Sequence, residues 1–521
     1  MKLFPSRNST PQDSFKKRYT FKLGSNLVSF ALSLATAGIV PRSLGPKQFG
    51  DFSFLTNFFT QILIFLNCGT AYPFYGRISQ EKGYSPVVPF YFIFICFGAL
   101  LVLICTVLVH AFGLQQRIWP NQSYSIIFIA AGLSILLKIG EIPSSMVDAY
   151  GNTVSAEIVR FIHKVLITIA LLILAYNQLL SLNVFFSYQY IITSVLFLML
   201  LWVLGKNGHW FFQYPRLTLK SIKYEFAYFY KNSNPLFILS IVSLITGIFD
   251  RWLLQTCGGS TQQGYFGFSA NIATFSSVFI TSMTPLLMRD FAIASEANDL
   301  KVLAKPFVII GPILFLFGAY LSCFLAVQSS NICSILGGAN YDNAKVTLTI
   351  MVFYPVFQIY GQICGSFLTM TGKTKLFRNI CSVFLILGLP VTYFLLTSTT
   401  VANNISSSGL AIKTVLLDVV SVTVLLFLCC NILKISFKKL IKNQLITVVV
   451  FFALAFSSSF LIAKIFSNSN EFIHFLVSGI LYSFVAVLLI VFKSDLFGID
   501  KNIVIVLKND ILKKINSFLK K

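Results

Sequence analysis

The chain has 521 residues, of which 56% are hydrophobic and 11% are charged. In soluble globular domains the charged fraction is about a quarter, so this composition excludes that class. The formal net charge of +23 is spread through short loops and forms no single basic block, which argues against a nucleic-acid-binding surface. The composition is that of a multi-pass membrane protein.

Apolar segments of about 20 residues recur along the chain, and about fourteen of them can cross a hydrocarbon core of about 30 Å as helices. The first follows a polar segment and lacks a small-residue cleavage site, which predicts a retained helix and not a signal peptide. We therefore predict an all-α integral membrane protein. The predicted spans are 22–40, 52–74, 87–112, 123–146, 158–177, 183–204, 233–256, 264–287, 306–328, 345–370, 379–397, 409–432, 444–463 and 472–492.

The distribution of positive charge predicts the orientation of these helices. When the N-terminus, alternate loops and the C-terminus are taken as one side, that side holds 33 of the 40 Lys and Arg residues. Loops rich in Lys and Arg face the cytoplasm. The pattern predicts an even number of helices, with both termini in the cytoplasm.

An internal repeat relates residues 33–60 to residues 242–274. Gly38 and Arg42 recur as Gly247 and Arg251 at an offset of 209 residues. After a five-residue insertion at about 258–262, five further positions recur at an offset of 214. These pairs are Gly50 with Gly264, Phe52 with Phe266, Phe54 with Phe268, Asn57 with Asn271 and Thr60 with Thr274. This spacing is too long for a solenoid and is typical of two like-oriented helix bundles with a site between them.

The repeat predicts two six-helix lobes, related by a pseudo-twofold axis around a central cleft, plus two C-terminal helices. No loop exceeds about twenty residues, which leaves no room for a soluble catalytic or nucleotide-binding domain. The tail either lies on the inner leaflet as an interfacial helix or is a loosely ordered solubilising segment. The predicted segments are a cytoplasmic N-terminus (1–21), the first lobe (22–204), a basic cytoplasmic connector (205–232), the second lobe (233–432), helices 13 and 14 (433–492) and a basic amphipathic cytoplasmic tail (493–521).

Neither a metal site nor ATP binding is predicted. No Cys or His spacing resembles a metal site, and most of the ten cysteines lie inside apolar segments. Only Cys257 and Cys333 fall in predicted outward loops, where a disulfide between them is weakly supported. Thr371-Gly-Lys-Thr374 lacks the first glycine and the preceding strand of a phosphate loop. The one cofactor that we expect is a coupling cation, H⁺ or Na⁺.

Arg42 and Arg251 occupy matching places at the predicted outer ends of helices one and seven. A pair of guanidinium groups there forms a cationic rim that suits an anionic substrate. The alternative is that each arginine anchors a helix end by snorkelling, or pairs with an acidic neighbour.

Charged groups inside membrane helices are costly and mark cavities or ion pairs. Lys138 and Glu141 are three residues apart and can pair on one helical face, with Asp148 two turns further on. Glu157 and Arg160 repeat this spacing on the next helix. The five residues are either a structural network at the inner helix ends or a gate.

Two acidic residues lie in predicted second-lobe helices. Asp250 and Asp418 are candidates for carrying a coupling proton or cation, with capping or local pairing as the alternative.

Polar amides also recur in the repeated helices. We expect either helix–helix hydrogen bonds or contacts with sugar hydroxyls in a cleft. These candidate substrate-binding residues are Asn26, Asn57, Gln61, Asn234 and Asn271.

Two sequence regions resemble one transporter group. Pro41-Arg-Ser-Leu-Gly-Pro-Lys-Gln-Phe-Gly50 follows an N-terminal helix and resembles the start of polysaccharide-export proteins of the multidrug/oligosaccharidyl-lipid/polysaccharide (MOP) flippase superfamily. Asp250-Arg-Trp-Leu-Leu254, with Gly264-Tyr-Phe-Gly-Phe-Ser269 and Thr284-Pro285, is similar to the second-lobe pattern of that group.

This resemblance implies a cleft that opens alternately to either side and a flippase for undecaprenyl-pyrophosphate-linked oligosaccharides. It further implies O-antigen, capsule or other surface polysaccharide assembly in a bacterial or archaeal cytoplasmic (inner) membrane. The implied partners are the lipid-linked oligosaccharide, membrane lipids and other polysaccharide-assembly membrane proteins.

Three alternatives stay open. A drug or cation exporter of the same fold predicts a lumen rich in acidic or aromatic residues. A membrane enzyme such as a polymerase or ligase predicts a sizeable outward loop, whereas the predicted outward loops are short. A scaffold without transport activity leaves the repeated polar positions unexplained.

Overall fold

A computed structural model describes residues 15–66, 70–80, 86–208, 217–296, 299–397, 406–466 and 470–499. These residues are helical almost throughout, and no strand occurs among them. They fall into two compact units, Met1–Gly264 and Tyr265–Lys521. The all-α membrane fold predicted from the sequence is confirmed. The division into lobes at 22–204 and 233–432 stays a prediction.

The described residues of the first unit form seven helices and most of an eighth. They are α1 (Phe15–Leu66), α2 (Ala71–Gln80), α3 (Val87–Ala111), α4 (Gln115–Ile118), α5 (Tyr124–Ala149), α6 (Thr153–Tyr176), α7 (Leu182–Lys206) and α8 (Leu219–Ala273). Its core is strongly aromatic, because the rings of Phe58 and Phe59 on α1 pack against Trp119 with centroids 5.5 and 5.8 Å away.

In the part of the second unit that the structure describes, the end of α8 is followed by ten further helices, joined in places by short 3₁₀ and π turns. They are α9 (Val278–Glu296), α10 (Leu300–Lys305), α11 (Gly311–Val327), α12 (Ser329–Ile332), α13 (Lys345–Met351), α14 (Tyr354–Met370), α15 (Thr374–Thr397), α16 (Ser406–Leu433), α17 (Phe437–Ile465) and α18 (Glu471–Phe492). Tyr482 on α18 stacks on Tyr320 of α11 with centroids 4.9 Å apart and donates a hydrogen bond to its carbonyl. The last helices are therefore part of this unit's core.

Twelve stretches of the described residues are long and apolar enough to cross a membrane. Two of them, Leu32–Leu66 and Phe237–Ser277, have 35 and 41 residues and are too long for one crossing. Each contains one glycine with a non-helical backbone that joins two helices, Gly45 in α1 and Gly259 in α8. The fourteen predicted helices agree with the twelve stretches when each kinked stretch counts as two.

The kink glycines extend the repeat from the sequence to the backbone. Gly45 has φ 71° and ψ 168°, and Gly259 has φ 70° and ψ −174°. A positive φ is readily adopted only by glycine, which explains why both positions lack a side chain. Since the two glycines match at the offset of 214, the five extra residues precede Gly259 and lengthen the helix before it. The insertion therefore lies a few residues before the predicted position of about 258–262.

Candidate functional site

The two halves of the repeat touch each other through equivalent positions within the first unit. A Cβ added to Gly50 would overlap the carbonyl oxygen of Ser260, and a Cβ added to Gly264 would overlap the carbonyl oxygen of Pro46. Pro46 and Ser260 are themselves equivalent at the offset of 214. The contact is therefore reciprocal, and each side of it requires a glycine.

The helix after Gly45 continues along the helix before Gly259 in the antiparallel direction. A Cβ at Gly247 would lie 3.2 Å from the side-chain amide carbon of Gln61, and the rings of Phe65 and Phe237 are 6.0 Å apart. Because Gly247 has no side chain, the Gln61 amide can lie against α8. Gln61, predicted as a substrate-binding amide, thus lies at a helix–helix contact.

A carboxylate next to the glycine contact joins three segments of the first unit. Asp51 Oδ1 accepts a hydrogen bond from Gln122 Nε2 at 2.6 Å and another from Ser260 Oγ. Gln255 Nε2 in turn donates to Ser260 Oγ and to the Pro120 carbonyl, both at 3.1 Å. Asp51 therefore ties the second half of α1 both to the segment between α4 and α5 and to the kink of α8. We call Asp51, Gln122, Gln255 and Ser260 the Asp51 hub.

Sequence reasoning missed the Asp51 hub, although one signal pointed to it. Asp51 follows Gly50 directly, and the equivalent position after Gly264 is Tyr265. A charged residue that breaks the repeat at its closest contact marks a function confined to one half. Gln122 and Ser260 gave no such signal, because uncharged polar residues are ordinary in loops and at helix ends.

Arg251 is held across the kink of α8. Its Nη1 donates to Gln263 Oε1 at 2.9 Å, and Gln263 Nε2 donates back to the Arg251 carbonyl. Asp250 lies close enough to contribute its charge to the same guanidinium. By contrast, Arg42 is exposed at its matching place. The guanidinium of Arg251 is therefore fixed and Arg42 is exposed, and a cationic rim formed by the two stays a prediction.

The predicted amides have different surroundings. Asn57 is half-buried, and its Oδ1 has no hydrogen-bond partner among the described residues. Asn271 is exposed, and its carbonyl accepts a hydrogen bond from Thr274 at 2.7 Å. The side chains of Asn26 and Asn234 lie outside the described residues. Among the predicted amides with described side chains, Asn57 is thus the one with a buried oxygen that lacks a partner in the described residues.

The predicted ion pairs of α5 and α6 are confirmed. Lys138 Nζ lies 2.5 Å from Glu141 Oε2. Arg160 contacts Glu157 on its own helix at 2.6 Å and Asp148 on α5 at 3.3 Å. These contacts join the two helices at the end that the charge distribution predicts to be cytoplasmic.

A second buried carboxylate lies in the second unit. Asp418 on α16 accepts a hydrogen bond from Gln358 Nε2 on α14 through Oδ1. Its Oδ2 is buried and has no partner among the described residues. No group of three or more metal-binding side chains occurs in the part of the chain that the structure describes.

Helix number, kinks and buried charges define a multi-pass membrane protein with a transporter fold. No protein-family model and no curated protein sequence matches the chain. Among solved structures, the chain is similar to the lipid II flippase MurJ in an inward closed conformation, with a TM-score of 0.65, 16% identity and coverage of 91% of this chain and 99% of that chain.

Two further similar structures are transporters of the MOP superfamily. An inward-facing multidrug resistance MATE family transporter has a TM-score of 0.59 and 14% identity, covering 80% of this chain and 98% of that chain. A MOP superfamily transporter from Pyrococcus furiosus has a TM-score of 0.53 and 12% identity, covering 82% and 100%. The chain therefore has the fold of MOP-type transporters and flippases.

Proposed function

We propose that the protein is a flippase that moves undecaprenyl-pyrophosphate-linked oligosaccharide repeat units of a surface polysaccharide from the inner to the outer leaflet. A diphosphate bearing several sugars cannot shed its water into hydrocarbon, so a lined passage must replace that hydration. The polyprenyl tail is apolar and stays in the bilayer. Alternating access then needs two arrangements of comparable free energy.

The observation that carries the proposal is the presence of Arg42 and Arg251 at repeat-related helix ends. Guanidinium binds phosphate oxygens in a bidentate manner and stays charged at physiological pH. Gln263 fixes the guanidinium of Arg251 in one orientation, which lowers the entropy cost of binding a phosphate. A cationic substrate would be repelled by the same groups.

The extent of the fold match supports the same proposal. The flippase structure aligns with 91% of this chain, whereas the MATE transporter structure aligns with 80%. A substrate of the flippase kind, a lipid-linked glycan, is what the sequence resemblance also implies.

The remaining candidate residues contribute to sugar binding, ion coupling and gating. Asn57 and Asn271 offer amides to sugar hydroxyls, as do Asn26 and Asn234 by sequence, whereas the Gln61 amide lies at the contact with α8. Asp250 and Asp418 are the candidates for a coupling H⁺ or Na⁺. Breaking of the Lys138–Glu141 and Asp148–Arg160 pairs accompanies opening of the cytoplasmic side.

The second candidate function is a drug or cation exporter of the same fold. It is favoured by the MATE neighbour and by Asp418, whose buried Oδ2 could receive a cation.

Reconstitution into vesicles separates the two functions. We expect the protein to move a labelled undecaprenyl-pyrophosphate oligosaccharide between leaflets and to leave a cationic dye gradient unchanged. Dye export without lipid movement would establish the exporter. If folded protein gives no lipid movement above that of empty vesicles, the flippase proposal is wrong.

A further inference from the structure

The facing sides of α6 and α7 form an open groove of about 590 Å³ within the first unit. The groove extends from His163 to Leu174 on α6 and from Val184 to Val195 on α7. At about 1.5 Å per residue, it is about 16 Å long. Its volume is typical of a ligand site, so the groove can hold part of an elongated molecule.

Two hydrogen bonds between the helices fix the floor of the groove. Tyr188 Oη on α7 donates to the Ile167 carbonyl of α6 at 2.8 Å. His163 Nε2 on α6 donates to the Ile192 carbonyl of α7, also at 2.8 Å. Both bonds satisfy polar groups that would otherwise face hydrocarbon. The surface that remains open in the groove is almost wholly apolar.

Two small side chains leave the space between the helices open. The hydrogen bond from Tyr188 places it opposite Ile167 in two antiparallel helices. In this register, Ala170 and Ser187 lie within one turn of each other. They have the two smallest side chains that line the groove. Larger aliphatic side chains at these positions would fill the gap and close the groove.

The groove lies within the membrane-spanning part of both helices. His163 is near the middle of the apolar span Val154–Tyr176, and Leu174 is near the end of that span. The charge distribution predicts that this end faces outwards. Half of a hydrocarbon core of about 30 Å is about 15 Å, so the length of the groove matches the depth of one leaflet.

Exposed aliphatic side chains border the groove and join it to the lipid-facing surface. Leu166, Ile173 and Ile191 line it, and each is more than half exposed. Water is absent from the bilayer core and would find no hydrogen-bond partners on an apolar wall. An empty groove would forfeit the dispersion contacts of its walls. Hydrocarbon is therefore the filling that the surroundings supply.

We propose that the groove between α6 and α7 binds one acyl chain of a phospholipid from the outer leaflet. An acyl chain of one leaflet ends at the middle of the membrane, as the groove does. The turn above the groove, Tyr176–Leu182, carries no charged residue and so suits a zwitterionic headgroup such as phosphatidylethanolamine. The bound chain holds the two helices at their observed spacing. This inference goes beyond the proposed flippase function and applies equally to an exporter.

The test uses phosphatidylethanolamine with a photoreactive diazirine on one acyl chain, added to the purified protein in nanodiscs. A diazirine at the chain terminus should label the inner end of the groove, at His163 and Ile192. A diazirine next to the glycerol should label the outer end, at Leu174 and Val184. Peptide mass spectrometry locates the labels. Labels spread over all lipid-facing helices, in the same pattern for both probes, would overturn the proposal.

Filling the groove gives a second measurement. Ala170→Leu and Ser187→Leu add bulk at its middle, so labelling inside the groove should be lost while the melting temperature stays that of the wild type. Ala453→Leu, at an exposed position on α17, is the matched control and should leave this labelling unchanged. Unchanged labelling in both groove variants would overturn the proposal. If a variant fails to fold, the depth order of the two probes in the wild-type protein decides alone.

Competition identifies the occupant. Excess unlabelled phosphatidylethanolamine should suppress the labels in the groove. Suppression by undecaprenyl phosphate but not by phosphatidylethanolamine would assign the groove to a polyprenyl tail and overturn the proposal. Disulfide cross-linking of Leu166→Cys between two copies, without lipid labels, would overturn it in favour of an interface between copies. Depth-ordered labels in a protein that moves no lipid-linked oligosaccharide would contradict only the flippase.

Discussion

Replacing Asp51 with Asn should loosen the contact between the kink of α8 and the second half of α1. The carboxylate accepts hydrogen bonds from Gln122 and Ser260 and interacts electrostatically with the positive charge of Lys47. Asn has the same shape but no charge. Each of the two hydrogen bonds then changes from the charged kind, worth about 1.5–3 kcal/mol, to the neutral kind, worth about 0.5–1.5 kcal/mol.

The loss is therefore about 1 kcal/mol for each bond and about 2 kcal/mol for both. Since about 1.4 kcal/mol corresponds to a tenfold change, the population with this contact open should rise about 25-fold. The assay is the labelling rate of a Thr261→Cys reporter with a membrane-impermeant maleimide, in a background that carries Cys257→Ser. Thr261 is half-buried next to Ser260, so its labelling reports the opening of the hub.

The matched control is Asp342→Asn. Asp342 is an exposed carboxylate that pairs with Lys345 at 3.4 Å, and a surface pair of this kind contributes little. Labelling should be as slow in this control as in the reporter background. If Asp51→Asn labels at the control rate, the hub does not hold the contact closed, and our reasoning about its hydrogen bonds is wrong.

Three further predictions concern other parts of the molecule. Gly50→Ala and Gly264→Ala should each lower the free energy of unfolding by about 1–3 kcal/mol, because the added methyl group overlaps a backbone carbonyl. Unchanged stability in both variants would contradict the reciprocal contact. Arg251→Ala should slow the movement of lipid-linked oligosaccharide between leaflets of reconstituted vesicles while the protein stays folded in the membrane, and Arg251→Lys should recover only part of the rate. A normal rate in Arg251→Ala would show that this residue only anchors the helix. Burial raises the pKa of the Cys333 thiol to about 12, so this thiol stays protonated below that pH and should resist maleimide at pH 7–8. The exposed thiol of Cys257 should react under the same conditions. Rapid labelling of Cys333 in the intact protein would refute its burial.

The helices could be predicted from the sequence because a membrane imposes a simple rule on length and polarity. The prediction went wrong in detail between the first two spans, where residues 41–51 were expected to connect helices. Arg42, Lys47 and Gln48 lower the local hydropathy there, but the backbone stays helical except at Gly45. Polar side chains do not end a helix when its hydrogen bonds continue, so hydropathy underestimates its length.

The contacts of the candidate site could be predicted only where the two residues are close together in the sequence. Lys138 with Glu141 and Glu157 with Arg160 are three residues apart, and helical geometry alone brings each pair together. The Asp51 hub depends on contacts between residues 71 and 209 positions apart. No periodicity encodes such contacts, because they depend on how the helices pack. The bond from Arg251 to Gln263 likewise exists because of the kink between them.

The reciprocal glycine contact has the geometry of an isologous interface, in which one surface meets a second copy of itself. Gly50 meets Ser260, and Gly264 meets Pro46, so each partner occupies the place of the other under a twofold exchange. Two identical copies of one half would therefore meet as a homodimer through this surface, and each substitution there would change both sides of the contact. Because the two halves lie in one chain, each half can differ from the other, and Asp51, at the position equivalent to Tyr265, is a difference that two identical copies could not have on one side only.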